Sequence, residues 1–463
     1  MLTTLVVIFI VGYLAIALEH PLRVDKTASA LLLGMLMWVI YALGAESVVP
    51  VVSGEHFRHF LESNPALANK SLHYQALQYV LNVDIIEQLG DIMQTLLFLI
   101  GAMTIVEMVD VHGGFRVITD RINTRDKKKL LWIISFVTFF MSAILDNLTT
   151  TIVMLMLLRK LITQKEERWL YAGMIVIAAN SGGAWSPIGD VTTIMLWVSG
   201  NISAPALLSY VLLPSLVSML VPLCIISSKL TGDLPPRDTV IEKNSFITAR
   251  QRATMFYLGV GGLIFVPVFK SVTHLPPFVG MLFVLGALWV FTEIFYNSQM
   301  LEQAKELRLP KVISRVDMPS ILFFLGILMA VAVLQCTGIL SDVASFLDEK
   351  IHNVYWIGLI LGVLSAIVDN VPLVAGVMGM YPVADPAATG YAANFVIDGT
   401  FWELMSYCAG VGGSILIIGS AAGVIVMGLE KISFGWYLKK FSWVALLGYL
   451  SGAAVYSLEK LIF

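Results

Sequence analysis

Twelve apolar runs divide this chain, at about 2–18, 28–44, 91–112, 130–158, 169–198, 206–228, 253–270, 277–297, 319–340, 353–381, 404–428 and 441–460. Few folds accept such a sequence, because a helix that crosses a bilayer needs about 20 apolar residues and most of these runs supply them. Charged residues make up only 13% of the 463, whereas a soluble domain carries about 25%. The chain therefore reads as an all-α polytopic membrane protein whose main partner is membrane lipid. The apolar start at 2–18 has neither a basic leader nor a small-residue cleavage site, so it counts as a span rather than a signal peptide. A net charge of −3 and the absence of a basic patch interleaved with aromatics give no reason to expect nucleic acid. Cys224, Cys336 and Cys408 lie inside apolar runs without metal-ligand spacing and read as packing residues.

Within this apolar background stands a repeated acid. Ser142-Ala-Ile-Leu-Asp-Asn-Leu-Thr149 is echoed by Ser365-Ala-Ile-Val-Asp-Asn-Val-Pro372, an offset of 223 residues. Leu97-Phe-Leu-Ile-Gly101 is matched by Leu322-Phe-Phe-Leu-Gly326, and Gly182-Gly183 with Gly189 by Gly412-Gly413 with Gly419. The only good linker, around Gly232-Asp-Leu-Pro-Pro-Arg237, falls near the middle. The expected organisation is a first repeat over 1–228, a cytoplasmic linker over 229–252 and a second repeat over 253–463. The polar stretch 45–88 ends in Leu72 to Leu89, where Leu77, Val80, Leu81, Ile85 and Leu89 suit an interfacial or partner-contact helix.

Basic residues set the topology. The run 130–158 is preceded by Arg116, Arg121, Arg125 and Lys127 to Lys129 and followed by Arg159, Lys160, Lys165 and Arg168. Both flanks read as cytoplasmic, so the segment enters and returns with Asp146-Asn147 at its tip. With 353–381 as the matching hairpin, five spans remain per repeat, and an odd number inverts the second repeat relative to the first. On that arrangement 24 Lys and Arg lie on the cytoplasmic side and five, Arg58, Lys70, Lys270, Lys350 and Lys460, on the other.

Inverted repeats with broken helices are the sequence pointer to a transporter's binding site. The broken helices are expected over 169–198 and 404–428, at Asn180-Ser-Gly-Gly-Ala-Trp-Ser-Pro-Ile-Gly-Asp190 and Gly410-Val-Gly-Gly-Ser-Ile-Leu-Ile-Ile-Gly-Ser420. A charge at membrane depth costs at least about 2.5 kcal/mol, so Glu107, Asp146, Asp190 and Asp369 need a function. No Lys or Arg lies deep in any span, and a buried acid without a basic partner holds a proton or finds a cation. Binding either, one at a time, is the chemistry of cation/proton exchange with competing ions. Hard oxygen donors suit Na⁺ or Li⁺, not a transition metal, which would want His or Cys. The expected cation- and proton-binding set is Asp146, Asn147, Thr149, Thr150, Asn180, Ser186, Asp190, Thr192, Asp369, Asn370, Gly413, Ser414 and Ser420, with Asp146, Asp190 and Asp369 as the charged ligands. Glu107 and Asp110 are candidate proton relays. Asp110 and His112, near the membrane edge, are open to sensing or plain interface solvation. No resident cofactor is expected.

These motifs carry a resemblance. Asp146-Asn-Leu-Thr-Thr-Thr151, Asp369-Asn-Val-Pro-Leu-Val374, Gly379-Met-Tyr-Pro382, Thr104-Ile-Val-Glu-Met-Val-Asp-Val-His-Gly113 and Ser186-Pro-Ile-Gly-Asp-Val-Thr-Thr193 resemble the NhaD-type sodium/proton antiporters of the ion transporter superfamily. The similarity runs from about residue 20 to 440. It implies that superfamily's fold, exchange of cytoplasmic Na⁺ or Li⁺ for external H⁺, a role in pH homeostasis, a bacterial inner membrane and a homodimer. Ser420 stands where the first repeat has Asp190, so the repeats are not equivalent. Two rivals share the superfamily: Na⁺-coupled dicarboxylate uptake, which Asp at both tips would oppose, and arsenite efflux. An intramembrane acid protease using Asp146 and Asp369 is the enzymatic alternative, but no other element of a hydrolytic site is present, so the reading is a transporter and not an enzyme.

Overall fold

A computed structural model describes residues 1–462 except 18, 120, 121, 123, 163, 235–247, 298–308 and 368. The described residues are overwhelmingly helical. In chain order the helices are α1 (Leu2–Ala17), α2 (Lys26–Gly44), α3 (Leu72–Val111), α4 (Lys127–Leu145), α5 (Asn147–Leu161), α6 (Lys165–Gly183), α7 (Val191–Val198) and α8 (Ala204–Ser227). The second half continues with α9 (Ala249–Thr273), α10 (Pro277–Asn297), α11 (Met318–Cys336), α12 (Ile339–Lys350), α13 (Val354–Leu364), α14 (Asn370–Met380), α15 (Thr400–Gly412), α16 (Ala421–Glu430) and α17 (Phe434–Ile462). Among the described residues eight helices are long and apolar enough to cross a membrane. Of the expected linker, 229–234 and 248–252 are described. Pro235, Pro236, Arg237 and Lys243 lie outside the described residues, as do Arg121, Lys305 and Arg308 of the basic clusters.

Helix starts follow from side chains that accept the first free backbone N–H groups. Asp25 accepts from Thr27 N at 2.7 Å, Asp126 from Lys129 N at 2.7 Å and Asp317 from Ser320 N at 3.3 Å. Thr248 and Gln251 form a reciprocal capping box at the start of α9.

The chain forms two compact units, and each draws on both halves of the sequence instead of following the repeats. One unit holds Met1–Leu97, Asp317–Asn353 and Val371–Pro382. Its centre is the parallel pair α2 and α11. Thr27 Oγ1 donates to Pro319 O at 3.1 Å and Trp38 Nε1 to Met329 O at 3.0 Å, and a Cβ on Gly34 would stand 2.4 Å from Gly326 O. Only glycine permits that backbone approach. The stretch Leu72 to Leu89 departs from expectation. It is no separate interfacial helix but the start of α3, joined through a wide turn at Val80–Asp84, and buried Asp84 accepts from Tyr41 Oη at 2.7 Å. At 40 residues α3 is about 60 Å long, roughly twice the hydrocarbon thickness.

The second unit holds Phe98–Val316, Val354–Asn370 and Val383–Phe463. It contains both Asp-Asn tips and both breaks. Lys127, at the start of α4, pairs with Glu167, and its backbone carbonyl accepts from Tyr171 Oη at 2.8 Å, while Ser142 Oγ, near the helix end, donates to Ala179 O at 2.6 Å. Helices α4 and α6 therefore run parallel. Only 162–164 link α5 to α6, so α5 must return to the level at which α4 began. The segment 130–158 thus folds back on itself, with its two ends at one level.

Candidate functional site

One residue turns the first hairpin. Asp146 sits between α4 and α5 at φ 78°, ψ 159°, a region that glycine normally occupies and that costs other residues about 1–3 kcal/mol. Its carboxylate offsets part of that cost by capping α5, with Oδ1 accepting from Thr149 N at 2.7 Å and Oδ2 from Thr149 Oγ1 at 2.9 Å. Thr149 thus serves Asp146 first, whatever else it does.

The segment before each Asp-Asn tip lies against the break of its own repeat. Ser142 Oγ donates to Ala179 O, and its counterpart Ser365 Oγ donates to Ala409 O at 2.9 Å. Glycines mark where backbones touch. A Cβ on Gly182 would stand 2.2 Å from Phe139 O, and one on Gly412 would stand 2.1 Å from Gly362 O. Between Gly183 and Val191 the helical ladder is interrupted, and Ser186 Oγ crosses to Ala143 O. Gly413 packs on Gly419 in the second break, where a Cβ would stand 2.9 Å from Gly419 O.

The half-helices after the breaks start in the same backbone conformation with different caps. Asp190 caps α7 at φ −148°, ψ 150°, and Ser420 caps α16 at φ −145°, ψ 154°. Around them lies a buried polar network. Asn370 Nδ2 donates to Asp190 Oδ2 at 3.2 Å, and Asn147 Nδ2 donates to Asn180 Oδ1 at 3.2 Å. Asn180 Nδ2 donates to Ser414 Oγ at 3.0 Å and to Ser420 Oγ at 2.8 Å. The charges of Asp369 and Asp146 both act on Asp190. Two hydroxyls in this region, Thr150 Oγ1 and Thr192 Oγ1, are fully buried and have no hydrogen-bond partner. A buried polar atom left so calls for an explanation.

The electrostatics oppose an anion. Helix N-termini are positive and ordinarily attract anions. Here Asp146 and Asp190 occupy the caps of α5 and α7 themselves, so those two ends are already compensated and the surplus is negative. Among the described residues no three His, Cys, Asp or Glu converge as a metal-holding group. Asp146, Asp190 and Asp369 are therefore neighbours in one field rather than a common cage, and neutral oxygens must complete any coordination.

The acid inventory read from sequence changes in two respects. Glu107 has a basic partner after all: Arg315 lies 3.9 Å away, brought in from the loop before α11. Arg315 and Arg116 also act on Asp110, which is exposed, and His112 is buried with Nδ1 2.6 Å from Met108 O. Two fully buried glutamates went unrecognised because their cations are distant in sequence. Glu403 pairs with Lys460 at 2.7 Å, and Glu430 pairs with Arg159 at 2.7 Å and Arg168 at 2.6 Å. Each half-helix is also held at its far end, Lys270 Nζ donating to Trp197 O at 2.6 Å and Arg159 donating to Leu429 O.

Comparison with known proteins agrees with this architecture. The CitMHS family, described as citrate transporter, matches residues 7–397. Sodium/proton antiporter 1 of Arabidopsis thaliana is 43% identical over 97% of this chain and 71% of its own length. Sodium/proton antiporter 2 of the same plant is 42% identical over 97% of both chains. The Na⁺/H⁺ antiporter NhaD of Alkalimonas amylolytica is 30% identical over 97% of this chain and 89% of its own. A multi-pass transporter and not an enzyme, this chain belongs to the CitMHS transporter family, among its NhaD-type sodium/proton antiporters.

Proposed function

We propose that this protein exchanges cytoplasmic Na⁺, or Li⁺ in its place, for external H⁺ across the inner membrane of a bacterium, with both ions competing for Asp146, Asp190 and Asp369. One observation carries the reading. Thr150 and Thr192, each within four residues of a capping aspartate, hold buried hydroxyl oxygens without a partner, in the field of carboxylates that need a cation or a proton. A small hard cation meets both needs. The proton meets the charge alone. Competition then couples the two fluxes: the site with a charge uncompensated is costly to carry through apolar surroundings, whereas the Na⁺-bound or protonated site is cheaper. The protein acts as a homodimer in this proposal, as the resemblance implies.

The family's description names citrate, and the charge at the site argues against it as cargo. The test is a proteoliposome flux assay with an internal pH dye. Na⁺ or Li⁺ added alone must move protons, while citrate added alone must not. Proton movement only with citrate, or none with either cation, refutes the proposal.

A further inference from the structure

Each repeat carries a break followed by a capped half-helix, yet the polar atoms at the two breaks are engaged differently. We propose that Asn180 closes the second, so that each protomer binds a single Na⁺; this rests on the function proposed above. Ser414 and Ser420 offer hydroxyl oxygens in the second break, in the repeat whose hairpin tip carries Asp369. A hydroxyl oxygen has two lone pairs. Ser420 Oγ accepts from Gly423 N at 3.2 Å in its capping role and from Asn180 Nδ2 at 2.8 Å, so both are engaged. Ser414 Oγ accepts the other Nδ2 hydrogen at 3.0 Å, and the Ser414 carbonyl accepts from Tyr437 Oη at 2.8 Å.

Asn180 is fully buried and held at three points, the third being Asn147 Nδ2 on its Oδ1. Its amide group, the positive end of the side chain, fills the space between the two serines where a cation would draw on both. Contrast the first repeat. There the cap is Asp190, a carboxylate, and Thr150 and Thr192 keep unpartnered hydroxyls. The position equivalent to Asn180 in the second repeat is Gly410, where a Cβ would stand 2.9 Å from Ala184 Cβ, so no amide reaches the first break in return. Asn180, Ser414 and Ser420, expected from sequence to be cation ligands, are thereby assigned to exclusion and to cross-bracing of the repeats.

The experiment measures ²²Na⁺ binding per protomer on the full chain, purified in detergent, by scintillation proximity at alkaline pH. The native protein should bind one Na⁺ without cooperativity. Asn180→Asp keeps the volume, accepts from both serines and Asn147, and adds a charge, so it should bind two. Two Na⁺ on the native protein, or one on a monodisperse Asn180→Asp, overturns the inference. If that variant is not monodisperse in size exclusion, the native stoichiometry decides alone. Na⁺ binding to neither protein overturns the proposed function as well, whereas two on the native protein leaves that function standing.

Discussion

Asp190→Ser is the substitution the structure itself prescribes, because Ser420 already occupies the same backbone angles at the head of α16. Serine is as good a helix cap as aspartate, so α7 should form normally. Two things are lost. Asn370 Nδ2 forfeits its acceptor at 3.2 Å, which costs about 1–3 kcal/mol of stability in a buried site. The second is charge. A carboxylate about 4 Å from a cation, at an effective dielectric of about 20, contributes about 4 kcal/mol. Water or a hydroxyl that takes its place recovers part, leaving about 2–3 kcal/mol, or about 30–150-fold in Kd for Na⁺. The assay is ²²Na⁺ binding at alkaline pH beside thermal unfolding followed by size exclusion. Asp190→Asn keeps shape and cap and should lose Na⁺ affinity to the same degree with a smaller stability cost. If Asp190→Ser keeps its Na⁺ Kd within about threefold of native while unfolding early, Asp190 is a structural cap and the assignment is wrong.

Three further outcomes are expected. Asp146→Asn and Asp369→Asn should each abolish Na⁺-driven proton movement in proteoliposomes while leaving expression and elution volume unchanged; normal exchange in either would remove that residue from the site. Apparent Na⁺ affinity, measured by ²²Na⁺ binding across pH, should tighten as pH rises and then level off, because fewer protons compete; a flat profile would require separate sites for the two ions. Lys128→Cys and Lys165→Cys should label from the same side of the membrane and Asp385→Cys from the other, and opposite labelling of the first two would make 130–158 a crossing.

Much of this was legible in the sequence because apolar spans and internal repeats leave local signatures. The Asp-Asn tips, the Gly-interrupted helices and the return of 130–158 on itself all follow from residues close together in the chain. Pairing over long distances left none. Arg315 reaching Glu107, Lys460 reaching Glu403, and Arg159 with Arg168 reaching Glu430 join residues 57 to 271 positions apart. Nor could the sequence divide the oxygen-bearing residues by role. Thr192 and Ser414 look alike as candidate ligands, and only hydrogen-bond accounting separates a hydroxyl without a partner from one already engaged. Leu72–Leu89 is helical as its spacing suggests, but its continuity with α3 across the wide turn at Val80–Asp84 left no local signature.

The cations at the far ends of the half-helices bear on how an ion can leave. α7 has 8 residues and α16 has 10, so each is a rod of about 12–15 Å. The N-terminal end of each is tied into the polar network by Asp190 or Ser420. The other end is fastened by Lys270 on Trp197 O, or by Arg159 on Leu429 O together with the Glu430 ion pairs. A rod fixed at both ends cannot swing like a door. Opening a path by tilting α16 alone would strip a fully buried glutamate of its partners, a loss of about 3–5 kcal/mol. Any movement that leaves these fastenings closed therefore keeps each half-helix in place against the residues that hold its two ends.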